Sequence, residues 1–93
     1  MVIGLLEAEV IIPASTSLKD KRMILNRIKN RQQKHFNVAF AETDFQEKWQ
    51  RTKIAFVTVS SNRKTTEETL NNLFRSLDKE SDYEIINYEF DYT

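Results

Sequence analysis

The chain has 93 residues, 40% of them hydrophobic, with 14 Lys or Arg balanced by 14 Asp or Glu and one His. That length supports one compact core and is too short for two, so residues 1–93 read as a single domain. With no Cys, a disulfide framework, a thiolate metal site and a cysteine nucleophile are excluded, and the composition fits a reducing cytoplasm.

Val2 to Ile12 is rich in β-branched and aliphatic residues. Alternation puts Val2, Leu6, Ala8, Val10 and Ile12 on one face and Ile3, Leu5, Glu7, Glu9 and Ile11 on the other. This predicts a strand ended by Pro13, with its second face half wet. The two glutamates deny the segment both the basic start of a leader and the length of a membrane helix, so a soluble cytoplasmic protein with no membrane partner is expected.

Ser17 is placed to cap a helix, with Asp20 three residues on as a variant of the capping box. Ser17 to Lys34 carries seven bases (Lys19, Lys21, Arg22, Arg27, Lys29, Arg31 and Lys34) against one acid. Leu18, Ile24, Leu25 and Ile28 fall on one side at about 100° per residue, while Lys19, Arg27, Arg31 and Lys34 project from the other. Lys19, Lys21 and Arg22 lie in the first turn, where the helix dipole favours anions; that break with local preference points to phosphate. The plainer reading is a solvated face whose stems cover apolar surface. Lys21 lies amid the apolar stripe, which calls for a partner: Glu42 is the candidate, and a snorkelling head in water the alternative.

Phe36 to Glu42 alternates Phe36, Val38 and Phe40 with Asn37, Ala39 and Ala41, a second strand, and Thr43 to Trp49 is a connection. Thr52 to Ser60 sets Ile54, Phe56 and Thr58 against Lys53, Ala55, Val57 and Val59, a strand apolar on both faces and therefore central. Leu70, Leu73, Phe74 and Leu77 mark a second helix, capped by Asn62 or Thr65. Tyr83 to Tyr92 closes the chain, with Glu84, Ile86, Tyr88, Phe90 and Tyr92 alternating against Ile85, Asn87, Glu89 and Asp91. The order predicts an α+β, ferredoxin-like βαββαβ sandwich: a four-stranded antiparallel sheet with two helices on one face. The other face, carrying Ile3, Leu5, Ile11 and the C-terminal tyrosines, is unusually apolar for solvent, so a homodimer through it is expected as an alternative function.

Few chemistries survive inspection. His35 is the only imidazole, so neither metal nor cofactor is expected, and no Ser or Thr has a second possible base. Glu7 and Glu9 point the same way about 6.6 Å apart, without further support for paired-carboxylate chemistry. Gly4, the sole Gly, lies inside a strand, which excludes a phosphate loop. Phe56 lacks the Gly-aromatic signature of sheet readout. What remains is phosphate contact through the cationic helix, joined by Lys48, Arg51, Arg63 and Lys64, with RNA or a ribosomal particle as partner.

Ser17-Leu18-Lys19-Asp20-Lys21-Arg22, then Phe36-Asn37-Val38-Ala39 with Ala41-Glu42, then Trp49-Gln50-Arg51 resembles the YlxP-like family of small uncharacterised bacterial proteins. The resemblance covers nearly the whole chain. It implies a ferredoxin-like fold and, because the family's genes often lie beside translation factors, a bacterial cytoplasmic protein near ribosome or RNA metabolism. It brings no catalytic residues; the pattern positions are Lys19, Lys21, Arg22, Glu42, Trp49, Gln50 and Arg51. Trp49 is either a stacking surface in one polar site with these residues or an anchor over the sheet. A protein that is not an enzyme is expected; an enzyme using Lys21, Arg22, Glu42 and Arg51 on a phosphorylated small molecule ranks behind both binding functions. The sequence departs from typical relatives in its Asn, Gln and Thr content and its tyrosine-rich C-terminus.

Overall fold

A computed structural model describes all residues from Met1 to Thr93. The elements are β1 (Val2–Ile11), α1 (Leu18–His35), β2 (Ala39–Asp44), β3 (Arg51–Ser60), α2 (Arg63–Asp78) and β4 (Glu84–Tyr92). One four-stranded sheet has the order β2-β3-β1-β4, with every pairing antiparallel. This is the expected ferredoxin-like α+β arrangement, with β3 and β1 in the centre.

Alternation along β1 explains the layering. Leu6, Ala8, Val10 and Ile12 are fully buried beneath the helices, together with Ile54 and Phe56 of β3, Leu25 and Ile28 of α1, and Leu70, Leu73 and Leu77 of α2. Gly4 shares that face, and a Cβ there would overlap Thr66 and lie 2.9 Å from a Leu70 methyl. Its lack of a side chain lets α2 approach the sheet closely. Ser17 caps α1, its Oγ accepting from the Asp20 N–H at 3.0 Å, and Asn62 caps α2 by accepting from the Thr65 N–H.

Three local expectations need correction. The second strand begins at Ala39 rather than Phe36, because the Phe36 N–H is spent capping α1 on the Gln32 carbonyl. Val57 and Val59 of β3 are exposed, so that strand is buried fully on one face only. In β4 a bulge intervenes: Glu9 pairs with Asn87 but Val10 pairs with Ile85, leaving Ile86 over. The extra residue shifts the alternation. Ile85, not Ile86, joins Phe90 and Tyr92 against the core, and Tyr88 lies on Phe74 with ring centroids 4.5 Å apart. The C-terminal tyrosines therefore belong to the helix side and do not enrich the open face.

Candidate functional site

Two loops meet at one end of the sheet, beside the start of α1. The Gln50 side-chain amide donates to the carbonyls of Pro13 and Ser15 at 3.0 and 3.1 Å, and the Ile12 N–H donates to the Gln50 carbonyl. These bonds tie the β2–β3 connection to the β1–α1 loop. Phe45, at the head of the connection, has φ 61°, a left-handed conformation costly for a bulky residue. Its carbonyl accepts from the Lys48 N–H and from Lys21 Nζ, the latter at 2.6 Å.

Lys21 is the keystone of this junction. It is 2% exposed, and its ammonium stands 2.6 Å from Glu42 Oε2, which also accepts from the Thr52 hydroxyl at 2.6 Å. The expected partner is thus found and the snorkelling alternative is not. Glu42 reaches Lys21 because it follows Phe40 on the helix-facing side of β2, whereas Lys21 sits among the apolar residues of α1. Burying this charge costs free energy that only a full set of acceptors offsets. Lys21 is therefore structural, and neither phosphate nor substrate reaches it. Thr52 and Phe45 are the members of the site that sequence reasoning missed. The hydroxyl lies on the same face as Ile54 and Phe56, and the turn has no Gly or Asn to announce it.

The remaining cations divide into paired and unpaired. On α1, Arg27 pairs with Asp82 and Arg31 with Glu80, both acids lying in the α2–β4 connection. Lys19, Arg22, Lys29 and Lys34 have no carboxylate within ion-pair distance, and Lys19, Arg22 and Lys34 are exposed. Asn26 and Asn30 lie exposed among them, and Gln33, also exposed, donates to the Val38 carbonyl at 3.1 Å. The one acid of the helix, Asp20, is turned into the cap: the hydroxyl and N–H of Thr16 donate to it and hold its carboxyl below the ordinary range. The outward surface of α1 is consequently basic, with amides that donate and accept between the charges.

On the opposite side of the sheet, Glu9 receives Arg51, whose Nε is 2.8 Å from Oε2, and Glu7 pairs with Lys53 at 3.6 Å. These ties neutralise both acids. The Arg51 guanidinium also lies 4.2 Å from the centre of the Phe45 ring. Trp49 is 55% exposed and borders a hollow of about 490 Å³ lined by Ile11, Glu47, Lys48, Gln50 and Arg51. It does not anchor the loop by burial. Lys19, Arg22, Trp49 and Arg51 gather at one end of the fold, but the first two ride on α1 and the last two border the open face, so they form no single pocket. Arg63 is engaged by Glu67, Lys64 is exposed and unpaired, and His35 is exposed at the end of α1. No helix is long and apolar enough to cross a membrane.

A ferredoxin-like α+β domain with a buried Lys–Glu tie and a basic first helix is the class these observations define. The chain belongs to the family described as “Protein of unknown function (DUF503)”, whose model matches residues 3–90. Over 77 residues it is 43% identical to “Uncharacterized protein YlxP” of Bacillus subtilis (strain 168), covering 83% of this chain and 84% of that relative. The YlxP-like character read from the Ser17 to Arg51 motifs is therefore established.

Proposed function

We propose that this protein is a non-enzymatic binding module that meets RNA, free or within a ribosomal particle, through the outward surface of α1. The observation that carries the reading is that Lys19, Arg22, Lys29 and Lys34 are unpaired on a helix surface whose only acid is consumed in its own cap. Four such cations are set to meet phosphates, while Asn26 and Asn30 supply hydrogen bonds to sugar or base edges. Arg27 and Arg31 contribute less, since each already has a carboxylate partner. The implied setting of the family in translation agrees with this partner.

Phosphate contact has a quantitative signature. Four contacts to single strands give a slope near −3 in log K against log salt, about a 50-fold loss between 50 and 200 mM salt. Co-sedimentation with ribosomal particles, and fluorescence anisotropy with a labelled RNA, test this directly. A variant with Lys19, Lys29 and Lys34 changed to Glu is expected to lose binding, whereas Arg27→Ala with Arg31→Ala retains most of it. If the wild-type chain stays at the top of the gradient at low salt and leaves the anisotropy unchanged, the proposal fails.

A further inference from the structure

The face of the sheet away from the helices divides along the strands. At one end Ile3, Val57 and Val59 are 39%, 38% and 49% exposed, with Leu5 half-buried beside them. These four aliphatic side chains are neighbours, since Ile3 pairs with Val59 and Leu5 with Val57. Beyond them come the ion-paired residues Glu7, Glu9 and Lys53. An aliphatic cluster on two central strands, left in water, marks a surface that is covered in use.

We infer that this face is covered by a second copy of the chain, related by a two-fold axis that runs parallel to the strands between β1 and β3. The register selects this geometry. Such a rotation keeps each residue's position along the strands and exchanges β1 with β3. Each open-face residue of β1 then stands over the β3 residue of the second copy that is its own cross-strand neighbour. Ile3 meets Val59, Leu5 meets Val57 and Glu9 meets Lys53, so the aliphatic rows cover each other and opposite charges face each other twice; Glu7 meets Ala55, whose small side chain leaves the carboxylate room, and Ile11 meets Arg51. The outer strands agree: Ala39 and Ala41 of β2 share rows with Asp91 and Glu89 of β4. Small side chains there leave those carboxylates room to reach the rim and stay hydrated.

A two-fold perpendicular to the strands at the level of Glu7, by contrast, keeps β1 over β1. It sets Glu7 against Glu7 and Glu9 against Leu5, opposing like charges and burying a charge on an aliphatic residue. Of these two placements, only the first pairs opposite charges across the interface and opposes no like charges. Two sheets packed this way align at about −30° with an apolar layer between them, as in β-sandwiches.

Sedimentation equilibrium of the full chain, without nucleic acid, tests the inference. The expected mass is twice the 11.0 kDa of the chain at about 50 μM, with Val57→Lys returning it to a single chain while the far-ultraviolet spectrum is retained. The charge rows allow a complementation experiment. In Lys53→Glu homodimers Glu faces Glu9, and in Glu9→Lys homodimers Lys faces Lys53, so each variant alone is expected to dissociate at least ten-fold more readily than wild type. Mixed in equal amounts, the two restore both opposite-charge rows, and the dimer returns. Strain within each chain is untouched by mixing, so a merely destabilising substitution shows no rescue. Wild-type chain that remains at 11.0 kDa up to about 1 mM overturns the inference. A dimer that survives Val57→Lys, or a mixture no heavier than its components, overturns the assigned axis.

Discussion

Replacing Lys21 by Met keeps the stem among the apolar residues of α1 and removes only the ammonium. What is left behind is a Glu42 carboxylate, 20% exposed, with the Thr52 hydroxyl still donating, and a Phe45 carbonyl that retains the Lys48 N–H. Breaking a fully buried ion pair from one side costs about 3–5 kcal/mol. Because Glu42 touches water and keeps one donor, we place Lys21→Met at about 2–3 kcal/mol destabilising. Adding Glu42→Leu removes the stranded charge, so the double variant is expected to recover to within about 1 kcal/mol of wild type, a coupling of more than 1 kcal/mol by the double-mutant cycle. Urea denaturation followed by circular dichroism measures all four corners. Trp49, the sole Trp, reports the connection separately, and its emission is expected to change in Lys21→Met before global unfolding, because Phe45 loses its tie to α1. A Lys21→Met variant within about 0.5 kcal/mol of wild type, with unaltered emission, refutes the reasoning and returns Lys21 to a solvated role.

Two further outcomes follow from the core. Gly4→Ala forces a Cβ into Thr66 and Leu70; Thr66 is pinned by its hydroxyl bond to Ser60 at 2.7 Å and cannot swing away freely. The expected cost is about 1–3 kcal/mol by chemical denaturation, and unchanged stability contradicts the close approach of α2. Tyr83 is buried, donates to the Leu77 carbonyl at 2.7 Å, and burial pushes its hydroxyl up to about 12 from the ordinary 10. Between those values the unfolded chain releases a proton that the native state retains. Stability is therefore whole below pH 10 and falls as pH rises toward 12, by roughly 1–2 kcal/mol. Tyr83→Phe, less stable by about 1 kcal/mol at neutral pH, is expected to show a flatter alkaline limb in thermal melts.

Strand and helix order was legible because alternation and helical spacing ran unbroken between few turn residues. Two of the errors share one cause, competition for backbone groups that side-chain patterning does not register; the third, the exposure of Val57 and Val59, arises because nothing in the chain covers the open face. Glu84-Ile85-Ile86-Asn87 contains two adjacent aliphatics, and nothing local decides which faces the core; the bulge opposite Glu9 and Val10 decides it. Phe36 and Val38 fit a strand pattern, but the Phe36 N–H belongs to α1. Lys21 was legible as a residue needing a partner because its helical angle is wrong for a solvated cation. The pairing of Arg27 and Arg31 was not, since Asp82 and Glu80 lie 55 and 49 residues further along and are brought in only when α2 packs.

The two surfaces proposed here are compatible for a geometric reason. The helices cover one side of the sheet and the inferred dimer covers the other, so two copies joined through the open face carry their α1 surfaces outward on opposite sides. Neither proposal uses a residue the other buries: Lys19, Arg22, Lys29 and Lys34 lie on α1, while Ile3, Leu5, Val57 and Val59 lie on β1 and β3. Two α1 surfaces held rigidly apart raise avidity only for a ligand that reaches both. A short single strand cannot wrap the particle, whereas a folded RNA with two exposed backbone segments can. Val57→Lys thus separates the functions. It is expected to leave affinity for a short oligonucleotide unchanged and to weaken only the larger target, and equal losses on both would mean that the sheet face and α1 are not independent surfaces.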